Sequence, residues 1–364
     1  MGRTYAAPEQ RTPEQAKAIA LYDALIGELF AVGQPLRKAT NPRRSDETPL
    51  QAKKEKEKNY ENRNYHRTQS AGSVINGDFM KILVTGGTGK VVREVVQALL
   101  RRGESVRVLT RNKEAKLPDG AEVAVGDLLD PGSVRSALNG VEKLFLLVGN
   151  AADELTQALL TVAVARQAKV KHITYLSVYQ AERFPDVPHF IGKYAVETSL
   201  KAFDTPFTVL RPGYFFQNDA QLKPVLTGVG LYPNPIGKAG IAAVDVRDIA
   251  DAAVVSLTTD GHTGKTYNLV GPDPLSGPSA AAIWSEVLNK QVRYADLPVE
   301  AFEEQLRQIF PAWLAKDLRL MFQGYEDRGF APSNADVATL TSLIGHAPRR
   351  YEDFVRETAA GWSK

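Results

Sequence analysis

The sequence predicts an α/β fold: a doubly wound parallel sheet with a small C-terminal lobe, preceded by an N-terminal extension. Three observations predict it. From Met80 onward, short apolar runs alternate with helical stretches, the pattern of a parallel sheet covered by helices on both faces. The first such run leads straight into Gly86-Gly87-Thr88-Gly89 and then a helix. Residues 1–79 follow a different logic. They hold 13 Lys/Arg and 10 Asp/Glu, leaving 32 of each among the other 285, so the formal charge of +3 belongs to the first fifth of the chain.

The extension opens with a helical pattern over 14–30, where Ile19, Tyr22, Ile26, Leu29 and Phe30 recur at helical spacing. Beyond it stand three prolines (Pro35, Pro42, Pro49), a charge run over 53–58 and an Asn/Arg/Tyr/His-rich segment over 59–67. Such a composition buries too little apolar surface to offset chain entropy, which predicts disorder up to residue 79. The alternating signs of the charge run neutralise one another locally, so a solvated tail is expected rather than a nucleic-acid-binding arm.

From residue 80 the elements follow in order. A strand over 81–85 precedes a helix marked by Val92, Val95, Val96 and Leu99. Strands are expected over 105–110 and 122–125. Asp130 is an N-cap with Pro131 at the first helical position, and Gly140 closes that helix. A buried strand over 143–148, a helix over 152–167 and a strand over 172–176 come next. A helix over 193–202 and a sixth strand over 207–210 complete the set. Right-handed crossovers then give the strand order 3-2-1-4-5-6 of a Rossmann sheet. The lobe is assigned mainly to 211–240 and 270–364, within one domain over 80–364.

Composition excludes several chemistries. With no cysteine there is no disulfide, thiolate metal site or Cys nucleophile. The five histidines (His66, His172, His189, His262, His346) show no paired ligand spacing, so no metal is expected. No Gly-x-Ser-x-Gly elbow is present. No apolar run is long enough to span a membrane. The chain start lacks a secretory pattern, and its first thirty residues are too acidic for a mitochondrial leader, so a cytoplasmic location is expected.

The glycine turn is the strongest chemical signal. A strand–glycine turn–helix junction sets backbone N–H groups and a helix N-terminus against a pyrophosphate, and side chains there would hold the backbone away. Thr85, Gly86, Gly87, Thr88, Gly89, Lys90 and Val91 are the expected contacts. The motif's third glycine is replaced by Val92, which should push the first helix slightly outward. After the second strand stands Arg111 with no acid until Glu114, favouring the 2′-phosphate of NADPH, with NADH still possible.

Together with the glycine turn, Gly126-Asp127-Leu128, Leu176-Ser177, Val209-Leu210-Arg211-Pro212-Gly213 and the run 244–250 resemble the atypical short-chain dehydrogenase/reductases. More closely, the set is similar to the NmrA-like group, with its NAD(P)H quinone reductases and flavin-free azoreductases. The resemblance covers residues 80–364. It implies that Asp127 and Leu128 flank the adenine, that Leu147, Val148 and Gly149 line the nicotinamide-side ribose, and that Lys193 holds the ribose hydroxyls. The superfamily's catalytic tyrosine, four residues before that lysine, is replaced by His189. Without tyrosine, ketone chemistry is disfavoured, because the alkoxide needs a well-placed acid. A quinone or azo acceptor spreads the arriving charge, and His189 could supply the proton.

The acceptor pocket is expected beyond the carboxyl ends of the strands, where Tyr214, Phe215, Gln217 and Asn218 emerge. Asp245, Arg247 and Asp248 read as a structural helix cap. The expected partner is a small aromatic acceptor, with neither nucleic acid nor membrane, and the protein is expected as a monomer or homodimer. An oxidoreductase without flavin and a non-catalytic dinucleotide sensor both accommodate the missing tyrosine. The aromatic loop after Arg211 favours the enzyme.

Overall fold

The computed structural model describes residues 80–362. The predicted helix over 14–30 and the tail to residue 79 lie outside them.

Seven parallel strands form the main sheet, in the order β10-β6-β5-β4-β1-β2-β3. They are β1 (Lys81–Val84), β2 (Ser105–Thr110), β3 (Glu122–Val125), β4 (Lys143–Leu146), β5 (His172–Leu176), β6 (Phe207–Pro212) and β10 (Lys265–Leu269). The first six follow the predicted 3-2-1-4-5-6 order, and β10 extends the sheet beyond β6. This seventh strand, Lys-Thr-Tyr-Asn-Leu, is an edge strand with one fully buried residue. Its polar sequence gives no apolar run to read.

Side-chain alternation distributes the strands between two layers. Ile82, Val84, Val106, Val108 and Phe145 face a cluster built with α1 (Lys90–Arg101) and α5 (Val246–Thr258). Leu83, Leu109, Leu144, Leu146 and Ile173 face the opposite way. There they meet α2 (Pro131–Ala137), α3 (Glu154–Gln167) and α4 (Pro188–Lys201). Asp130 caps α2 as predicted, accepting from the N–H groups of Gly132 and Ser133 at 3.0 and 3.1 Å. The helix predicted over 193–202 begins at Pro188 instead, because proline's fixed φ suits the first helical position.

A third apolar cluster lies outside the sheet layers. It joins Tyr214, Phe216 and Tyr232 to α6 (Gly277–Leu288), α7 (Val299–Leu306), α8 (Ala312–Arg328) and α10 (Tyr351–Trp362). Two short parallel pairs accompany it: β7 (Tyr214–Phe215) with β9 (Ala243–Val244), and β8 (Leu231–Tyr232) with β11 (Arg293–Tyr294). The intervening α9 (Asn334–Ile344) packs elsewhere. Its Leu340 joins the α1/α5 layer, and the helix contacts β10 and α5.

Candidate active site

At the carboxyl edge of the sheet, β1 ends in Thr85, whose hydroxyl donates to Leu147 O at 2.8 Å and accepts from Leu147 N–H at 3.1 Å. This stitches the end of β1 to the loop after β4. Gly86 takes φ +102, and a Cβ there would lie 2.4 Å from Leu147 Cδ2, so the position admits only glycine. Gly87, at φ +70, faces open space, with nothing within 4 Å of an added Cβ. Gly89 is the N-cap of α1 and supplies no side-chain cap, and no acidic residue stands in that first turn. Open space above Gly87 and uncapped helix N–H groups fit the pyrophosphate of a dinucleotide.

Val91 and Val92 point into the core, so Val91 can offer only its backbone. Thr88 is exposed. Lys90 is exposed too, yet its ammonium donates to the backbone oxygen of Gln217 at 2.5 Å, tying the glycine turn to the loop after β6. Desolvation of that ammonium lowers its pKa, while the charge of Asp219 acts in the opposite sense. Arg111 lies exposed just beyond β2. Past β3, Asp127 Oδ1 accepts from Leu129 N–H at 2.9 Å, and Leu128 is half-buried. Val148 is buried, and Gly149 opens onto free space.

Lys193 lies one turn beyond His189 on α4. Its ammonium is 2.5 Å from Glu154 Oε1, and both side chains are only 11% exposed. Glu154 opens α3, where the helix N-terminus favours a carboxylate. Its sequence neighbourhood reads as an ordinary acidic first turn, and no spacing rule points to a partner 39 residues away. One turn after Lys193 stands fully buried Glu197. It accepts from Ser177 at 2.5 Å and from both Nε and Nη2 of Arg211 at 2.9 and 2.7 Å, and Arg211 also pairs with Glu182. The fork geometry fixes the end of β6 against α4. Tyr175 is buried, and burial together with Glu154 and Glu197 raises its pKa well above the ordinary value.

His189 is a helical residue, second in α4. Asp317 of α8 holds it twice: Oδ1 accepts the backbone N–H at 3.0 Å, and Oδ2 faces ring Nδ1. Asp317 is 1% exposed. Nothing in the sequence pairs these residues.

The loop after β6 departs from expectation. Tyr214 is buried and donates its hydroxyl to Asp219 Oδ1 at 2.7 Å. Asp219 also accepts from Tyr232 at 2.8 Å, Tyr351 at 2.5 Å and Asn234 at 2.9 Å, so four donors surround one buried carboxylate. Burial raises the pKa of Asp219 even so, and burial beside that carboxylate raises those of Tyr214, Tyr232 and Tyr351. Gln217 donates to Asp245 at 2.9 Å and accepts from Val246 N–H at 3.0 Å. Tyr214 and Gln217 are thus engaged by the protein itself, leaving half-buried Phe215 and exposed Asn218 on this loop. Asp245 caps α5, accepting from Arg247 N–H at 2.8 Å. His346, Asp248 and Asp251 come within 4.8 Å of one another, a grouping that linear spacing does not reveal. The Arg349 guanidinium already bonds both carboxylates there.

Over residues 79–351 the sequence matches the model of the NmrA-like family. The chain belongs to that family. It is 32% identical over 286 residues to (4-alkanoyl-5-oxo-2,5-dihydrofuran-3-yl)methyl phosphate reductase of Streptomyces griseus, covering 78% of this chain and 99% of the relative. It is 29% identical over 291 residues to the NAD(P)H azoreductase of Xenophilus azovorans, covering 77% and 99%. Among solved structures, the NADPH complex of the NADPH-dependent quinone oxidoreductase of Escherichia coli aligns with a TM-score of 0.68. That alignment has 28% identity and covers 76% of this chain and 99% of the other. No described helix of this NmrA-like protein is long and apolar enough to cross a membrane.

Proposed function

We propose that this NmrA-like protein is an NAD(P)H-dependent oxidoreductase that reduces a quinone- or azo-type aromatic acceptor without flavin. The observation that carries the reading is the placement, on one helix, of part-buried Lys193 and a clamped His189 at the offset where a tyrosine would stand. The relatives named for azo, quinone and oxo-dihydrofuran substrates support it, since all three names describe conjugated, electron-poor acceptors.

Bound nicotinamide supplies a hydride. Gly87, Gly89 and the N-terminal N–H groups of α1 bind the pyrophosphate, and exposed Arg111 meets the 2′-phosphate, which favours NADPH over NADH. Lys193 has three donors. One is held by Glu154, leaving two for the ribose hydroxyls. Phe215 and Asn218 face the acceptor ring, and His189 gives a proton to the anion that forms on it. A delocalised acceptor tolerates one proton donor where a ketone needs an acid placed on its oxygen.

The test follows NADPH absorbance with the full chain, menadione-like quinones and azo dyes. Oxidation dependent on acceptor supports the reading. Tight NADPH binding with no oxidation by any acceptor replaces it with a dinucleotide sensor that responds through differential affinity.

A further inference from the structure

We propose that Asp317 is a positioning residue for His189, fixing the tautomer of its ring and the direction of its free nitrogen. The inference rests on the reading above, in which His189 delivers the proton.

Two contacts define the clamp. Asp317 accepts the backbone N–H of His189 at 3.0 Å with one oxygen and faces ring Nδ1 with the other. Backbone and ring are therefore both fixed by one carboxylate, and that carboxylate belongs to α8, a helix of the lobe. An ionised carboxylate only accepts, so Nδ1 carries the hydrogen between them. Nε2 is then the ring's exchangeable position. Phe190 restrains the ring further. It sits edge-on to His189 with centroids 4.7 Å apart and planes at 77°, and it is itself locked against Phe184 and Phe330. The His189 side chain is 12% exposed.

Bound NADPH would supply one hydride, a proton with two electrons, to the acceptor and leave as NADP+. The acceptor anion takes the Nε2 proton of the imidazolium, whose Nδ1–H stays on Asp317, and the neutral ring regains a proton from water. The sum is acceptor plus NADPH plus H+ giving the doubly hydrogenated acceptor plus NADP+. Asp317 touches neither hydride nor acceptor. It holds the Nδ1–H and so keeps Nε2 as the donor.

The experiment has two arms on the full chain. Nitrogen-15 NMR of histidine-labelled protein, with His189 assigned by loss of its signals in His189→Gln, reports the tautomer of the neutral ring directly. An unprotonated Nε2 in the wild type, lost in the isosteric Asp317→Asn, is expected. An Nε2–H ring in the wild type, or the same tautomer in Asp317→Asn, overturns the proposal. In the kinetic arm, Asp317→Asn lowers kcat about 100-fold with the KM for NADPH within twofold of wild type. The double variant with His189→Gln is then no slower than His189→Gln alone. Additive losses count against positioning. If the wild type oxidises no NADPH with any acceptor, the functional reading fails, and the NMR arm alone decides the role of Asp317.

Discussion

Lys193→Met tests the cofactor site most directly, because it keeps the apolar stem and removes the ammonium. In the structure that ammonium is 2.5 Å from Glu154 Oε1, with each side chain 11% exposed. Removing one partner of a buried pair leaves the other charge uncompensated, which costs about 3–5 kcal/mol. The pair is part-buried, so the low end of that range, about 3 kcal/mol, is expected at neutral pH by urea unfolding. The double variant Lys193→Met/Glu154→Gln leaves no charge behind and recovers most of it. NADPH binding behaves differently. If a remaining ammonium donor meets a ribose hydroxyl, losing that charged hydrogen bond contributes about 1.5–3 kcal/mol, roughly 10–100-fold in Kd. That loss persists in the double variant, since the second substitution restores the fold but not the donor. Fluorescence titration with NADPH measures it. A Kd within twofold of wild type in both variants would refute the assignment of Lys193 to the ribose.

Three further outcomes are expected. Burial, with Lys143 and His262 adding to it, lowers the pKa of His172 to about 4, below the ordinary value near ~6.5. The folded protein therefore binds fewer protons than the unfolded chain between those values. Stability present above pH ~6.5 is lost as pH falls toward about 4, by about 3 kcal/mol, and His172→Gln should flatten the urea-midpoint profile across that window. Val92 is 1% exposed, so Val92→Gly should lower stability by about 3 kcal/mol through lost burial and helix propensity, while freeing space beside Gly86 and tightening NADPH binding. Calorimetry reads both, and an unchanged Kd removes the second half. Arg111→Ala should raise the KM for NADPH about tenfold with little effect on NADH, and equal changes for the two cofactors would exclude a 2′-phosphate contact.

Much of this molecule was legible because its chemistry is local. The glycine turn needs a strand before it and a helix after it, and the first six strands reveal themselves by apolar runs. Asp130 and Pro131 name their own helix start. The seventh strand escaped because Lys265, Thr266 and Tyr267 at an exposed edge carry no apolar signature. Tyr214 and Gln217 look available in the sequence because residue type reveals how many hydrogen bonds a side chain can make, but not which partners already take them. Asp219, Asp245 and Val246 take them here.

The partners that give Lys193 and His189 their chemistry lie 39 and 128 residues away, so helical spacing within α4 cannot supply them. The two partners also differ in origin. Glu154 comes from a helix packed on the sheet, whereas Asp317 comes from the lobe. Two side chains of one helix, α4, are therefore held from different sides, Lys193 by the sheet layer and His189 by the lobe. A substitution that loosens the α8 attachment should disturb proton delivery before it disturbs cofactor binding. A substitution at the α3 N-terminus should do the reverse, because the two carboxylate contacts share a helix but not a scaffold.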